Sequence, residues 1–65
     1  MEDYRAVLRD RRKKLGWSQY RLAKELGISQ SFINEIESGK KSPSLDVFFR
    51  ICEVLKIQIR FEEAE

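Results

Sequence analysis

The chain has 65 residues, 42% of them hydrophobic and 37% charged, with a formal net charge of +2. That describes one domain, residues 1–65, with a thin core, because a fold of this size buries only about 60% of the surface its unfolded chain exposes, and apolar content at this level excludes a disordered segment. A single cysteine and no histidine exclude an internal disulfide and leave no cluster for zinc or another metal cofactor, and no apolar run exceeds three residues, which excludes a membrane span and makes the cytoplasm the expected compartment.

The first helix is predicted over Tyr4 to about Leu15, with Tyr4, Leu8 and Leu15 on one stripe and Gly16 placed as a left-handed cap. Arg12 interrupts that stripe, so its guanidinium is expected at the edge of the core, in need of an acidic partner. Ser18 caps a second helix that ends at Gly27, and Ser29 caps a third that ends at Gly39. Trp17 and Ile28 precede these caps and are placed to staple onto Leu22 and Ile33. The joint between the two helices is too short for a relaxed hairpin, so they are expected to cross steeply, with Ala23 permitting close approach.

On the third helix Ile33 and Ile36 face inward, and Glu37 falls on the flank of the same face as the acid that Arg12 lacks. Ser44 caps a fourth helix whose expected core stripe is Leu45, Phe48, Phe49, Cys52 and Leu55, with Cys52 a small buried hydrophobe. After Leu55 the period changes from helical to two. Ile57, Ile59 and Phe61 alternate with Gln58, Arg60 and Glu62, as in a β-strand with one apolar face, and the closing EEAE reads as a solvated tail. A lone strand has no partner within the chain. The expected fold is mainly α, a compact bundle of four helices containing a helix-turn-helix, plus a C-terminal β-strand paired across a homodimer through Ile57, Ile59 and Phe61.

Charge is unevenly spread. From Tyr4 to Lys41 there are ten Lys or Arg against four Asp or Glu, and from Ser42 onward three against five. The basic part coincides with the paired helices, which suggests a polyanion as partner. The solvent face of the third helix carries Gln30, Ser31, Asn34 and Glu35, opposite Ile33 and Ile36. Three of these are neutral hydrogen-bonders suited to base edges, and Gln and Asn match adenine bidentately. Glu35 is repelled by phosphate unless it accepts from cytosine N4. Phe32 lies off the core stripe, expected either against a sugar or thymine methyl or over the edge of the domain.

The ordered set Arg12, Gly16, Ser18-Gln19, Leu22-Ala23, Gly27, Ser29, Ile33, Ile36-Glu37, Gly39 and Pro43 closely resembles the phage repressor and Cro family of DNA-binding domains, also called the XRE family. The resemblance covers Tyr4 to about Ile57. It implies an ion pair between Arg12 and Glu37, a phosphate contact from Gln19, phosphate contacts from the backbone at Ser38 to Lys40, and base contacts from the same outward residues of the third helix. Arg11, Lys13, Lys14, Arg21, Lys40 and Lys41 are expected to supply the electrostatic attraction, each neutralised phosphate steepening the salt dependence of binding. Many members of that family finish in a fifth helix. The strand-like IQIRF here is instead similar to certain antitoxin repressors of toxin–antitoxin operons, which pair their terminal strands across a dimer.

The expected function is therefore a sequence-specific transcriptional repressor acting as a homodimer on a palindromic operator in double-stranded DNA, with a cognate toxin protein as a further partner if the antitoxin likeness holds. A protein-interaction module that keeps the fold without DNA is the alternative; Glu35 favours it, while the neutral face and its basic surroundings oppose it. Enzymatic chemistry has no obvious players: there is no histidine, no phosphate-binding glycine loop, no paired buried carboxylates, and no cofactor is implied.

Overall fold

The computed structural model describes residues 3–64, so the last residue of the acidic tail lies outside the described residues. Four helices follow one another: α1 (Tyr4–Lys14), α2 (Gln19–Leu26), α3 (Gln30–Ser38) and α4 (Leu45–Val54). Each starts on an oxygen-bearing cap. Ser18, Ser29 and Ser44 accept from the N–H groups of Arg21, Phe32 and Val47, and Asp3 does the same for α1 through Arg5. Such a cap is worth about 1 kcal/mol.

The helix ends are equally regular. At α2 the Ile28 N–H reaches the Ala23 carbonyl and the Gly27 N–H reaches Lys24, with Gly27 at φ +70°. At α4 the same pattern joins Ile57 to Cys52 at 2.8 Å and Lys56 to Glu53 at 3.1 Å. Here the left-handed residue is Lys56, at φ +58°, the single non-glycine with positive φ among the described residues. A side chain in that region costs about 1–2 kcal/mol, offset in part by the greater chain entropy glycine loses on folding. Lys56→Gly is therefore expected to stabilise the protein by about 0.5–1 kcal/mol, read as a higher urea midpoint with an unchanged slope.

The core is formed by Leu8, Leu22, Ala23, Leu26, Ile33, Ile36, Ile51, Cys52 and Leu55. α3 packs on α2 and α1, and α2 also packs on α4, so α3 is held on its inner side while its outer side stays open. The buried stripe of α4 differs from the expected one: Ile51 is 1% exposed, whereas Leu45 is 67% and Phe49 38% exposed. Both stripes have helical spacing, and α4 is apolar over most of its circumference. The face that meets α2 decides between them.

Cys52 is buried on that stripe, and burial pushes its thiol above the ordinary value. Only the thiolate is nucleophilic, so alkylation of the folded protein near pH 8 should run at least about tenfold slower than in denaturant. Similar rates in the two conditions would show that the site opens readily.

The C-terminal strand is not formed. No strand occurs among the described residues, and residues 57–64 carry no regular secondary structure. The physical reason is the absence of any second extended segment in this chain to complete a ladder. Ile57 is turned inward and packs against the core, while Ile59 is 39% and Phe61 85% exposed. The three residues expected to share one interface are thus divided between the bundle and the solvent.

Candidate nucleic-acid interface

Where the start of α2 meets the outer face of α3, Gln19, Gln30, Ser31, Asn34, Glu35 and Lys40 line a shallow concave patch. Gln30, Ser31 and Asn34 are exposed, and Glu35 is half-buried. Ser29 and Ser18 set this arrangement, since each cap fixes the first turn from which these side chains project. Helix geometry leaves the N–H groups of Gln19 and Tyr20 without acceptors inside α2, a suitable seat for an anion.

Beneath the patch lies an ion pair. Arg12 Nε donates to Glu37 Oε2 at 2.8 Å and Arg12 Nη2 to Glu37 Oε1 at 2.9 Å, while Nη1 donates to the Trp17 carbonyl at 2.8 Å. Both side chains are more than nine-tenths buried. Glu37 Oε1 also accepts from Gln19 Nε2 at 3.2 Å, and Gln19 Oε1 accepts from Asn34 Nδ2 at 3.4 Å. A chain of hydrogen bonds thus runs from the pair under α1 to the outer face of α3.

The remaining candidates are placed unequally. Lys40 is exposed, and its ammonium has no ion-pair partner among the described residues. Lys41 Nζ lies 3.3 Å from Glu35 Oε2 and offsets that carboxylate's repulsion of phosphate. Arg21 is held by Glu25 at 2.9 Å and lies over the Trp17 ring at 4.5 Å, which leaves it exposed but oriented. The Ser38 hydroxyl donates to the Glu35 carbonyl at 3.3 Å. Phe32 packs against the core. Of its two expected placements, covering the edge of the domain is the one seen.

Three arginines serve roles that sequence spacing did not reveal. Arg5 donates to the Ile36 and Lys41 carbonyls at 2.8 and 3.1 Å and to the Ser42 hydroxyl at 3.1 Å, clamping the end of α3 to α1. Arg50 donates to the Leu26 carbonyl at 2.7 Å, at the end of α2. Arg11, expected among the free cations, instead donates to the Leu55 carbonyl at 2.8 Å. A cation at a helix C-terminus is favourable there because the last carbonyls lack partners. Much of the basic excess is therefore structural, and what remains near the patch comes from Lys40, Lys41 and Arg21.

Residues 8–61 match the family model described as Helix-turn-helix, which is most of the chain. The chain belongs to the helix-turn-helix family. Among its relatives within that family, Antitoxin HipB of Escherichia coli O6:H1 is 35% identical over 54 residues, 83% of this chain and 57% of HipB. An uncharacterised HTH-type transcriptional regulator of Methanothermobacter thermautotrophicus is 39% identical over 51 residues, 78% of this chain and 74% of its own length. The ImmF control region 10 kDa protein of Bacillus phage phi105 is 32% identical over 54 residues, 83% of this chain and 60% of its own length. The chain thus spans little more than half the length of HipB and of the phage protein. As a helix-turn-helix domain it places α2 and α3 as the paired helices, with the concave polar patch on the outward side of the second.

Proposed function

We propose that this helix-turn-helix protein binds double-stranded DNA in a sequence-specific manner as a homodimer on a palindromic operator, and represses transcription there. The observation that carries it is the patch itself: neutral hydrogen-bonders Gln30, Ser31 and Asn34 stand exposed on the open side of α3, with Lys40 and the α2 N-terminus beside them. In the major groove Gln30, Ser31, Asn34 and Glu35 meet base edges. Gln19, Arg21, Ser38, Lys40 and Lys41 meet the backbone, and Phe32 lends a sugar contact from the rim. Lys41 holds Glu35 for a cytosine amino group.

The homodimer is favoured by the tail, whose Ile59 and Phe61 lie exposed beyond the bundle. Pairing with a second copy supplies the ladder partner that one chain lacks. Likeness to Antitoxin HipB favours an antitoxin role with a cognate toxin partner, to be tested by co-purification with the product of an adjacent gene. The cytoplasm is the compartment in which such a protein meets DNA.

Selection of bound oligonucleotides from a random pool tests the main claim. Enrichment of a palindrome is the expected result; no enrichment at low salt points to a protein-interaction module. Within the enriched site, Gln30→Ala and Asn34→Ala are each expected to relax preference at one position by about 1–3 kcal/mol, whereas Lys40→Ala weakens all sequences alike. Equal loss on specific and random DNA for Gln30→Ala counts against base reading.

A further inference from the structure

We propose that Gln19 is a specificity-determining positioning residue, which relays the polarity of the buried Glu37 carboxylate to Asn34 and so makes Asn34 read adenine in preference to guanine. The proposal rests on the base-reading role proposed above for Asn34. Its basis is the directional chain Arg12, Glu37, Gln19, Asn34.

An amide side chain has two ends of opposite character, and its orientation is ordinarily free to reverse. Here it is not free. Glu37 paired with Arg12 is a carboxylate and accepts only, so the end of Gln19 that faces it must be the NH2 group, at 3.2 Å. The Gln19 oxygen then points the other way, toward Asn34, and it too only accepts. Asn34 must therefore turn its own NH2 inward, at 3.4 Å. What Asn34 presents to a base is its Oδ1 together with the remaining N–H. That set matches adenine, which offers the N6 amino group as donor and N7 as acceptor, whereas guanine offers two acceptors, O6 and N7.

Two features make the relay effective. Its root is rigid, since the Arg12 and Glu37 side chains are almost wholly buried and joined by two short bonds, with Trp17 fixing a third guanidinium N–H. Its end is exposed, on the patch where a base edge would lie. Gln19 spends one N–H and one lone pair on the relay and keeps another N–H for a phosphate. A contact to phosphate alone would lower all affinities in proportion; orientation of Asn34 alters a ratio.

The test is a comparison of wild type, Gln19→Met, Asn34→Ala and the double variant against the selected operator and its single-base variants. Methionine keeps the length of Gln19 and removes both polar ends. Because the readout is a ratio of affinities on two DNAs, it is unaffected by any change in the folded fraction. Wild type is expected to prefer adenine over guanine by about tenfold at the Asn34 position. Gln19→Met should abolish that preference at the same position, and the double variant should lose nothing more there. If Gln19→Met weakens every sequence equally and keeps the adenine preference, Gln19 is a phosphate clamp and the relay is wrong. If Asn34→Ala changes preference at no position, the base-reading role of Asn34 itself fails, which is a distinguishable result and removes the relay with it.

Discussion

Glu37→Ala is expected to lower stability by about 3–5 kcal/mol, and Arg12→Met by clearly less. Removing Glu37 leaves a guanidinium more than nine-tenths buried with only the Trp17 carbonyl, and a guanidinium cannot shed its proton inside a protein. Methionine at position 12 fills the vacated space with apolar volume instead. The carboxylate it leaves behind still accepts from Gln19 and can take up a proton, an escape closed to arginine. For a domain of this size each kcal/mol is worth about 4–8 °C in melting temperature, so the Glu37 variant should melt tens of degrees lower. A 65-residue domain has roughly 3–10 kcal/mol in all, which brings that variant near global unfolding. Comparable melting temperatures for the two variants would reject the ranking.

That pair illustrates which parts of the molecule could be read from the sequence. Arg12 stood out as a charge on an apolar stripe, and Glu37 as an acid on the flank of another, so mutual burial was the economical solution. Helix boundaries were legible for a similar local reason: Ser18, Ser29 and Ser44 announce starts, and Gly27 and Gly39 announce ends. By contrast, the face of α4 was not. With Leu45, Val47, Phe48, Phe49, Ile51, Cys52, Val54 and Leu55 all apolar, two stripes satisfy the same period, and contact with α2 selects the one through Ile51. Arg5, Arg11 and Arg50 gave no signal, because each reaches a carbonyl 24 to 44 positions away in sequence.

At the candidate site the exposure of Gln30, Ser31 and Asn34 followed from helical spacing, since side chains opposite Ile33 and Ile36 have nowhere to go but outward. The bonds joining Glu37, Gln19 and Asn34 did not follow, because they depend on how α2 is set against α3. Phe32 shows the limit of a spacing rule. It is off the main stripe, yet a large ring at the edge of a small core finds apolar neighbours within reach. Charge was overread for Arg11 for the same reason: a cation counted as surface attraction is committed to the end of α4.

Removing the chain after Gln58 is expected to yield a folded monomer whose operator affinity falls by roughly 10²–10⁴-fold, the factor that joining two half-site contacts supplies. This endpoint is chosen because Ile57 belongs to the bundle: its N–H closes α4 on the Cys52 carbonyl at 2.8 Å and its side chain packs on the core. Ile59 and Phe61 contribute little to that packing, and Phe61, 85% exposed, is an aromatic ring in water with no neighbour to cover it. A second tail running antiparallel would pair the free backbone groups and bury both side chains against Tyr4, Val7 and Phe48, which already border the base of the tail. A two-stranded ribbon is marginal alone, so the cover from these helical side chains decides whether it forms. The two-fold axis it creates would fix the separation of the two α3 helices, and operator half-sites about 34–36 Å apart, or a multiple of it, follow from that geometry. Phe61→Asp should reproduce the truncation in the full-length chain by placing two like charges where the tails meet. Sedimentation at micromolar concentration reads the outcome, and a truncated protein that remains dimeric would move the interface to another face of the bundle.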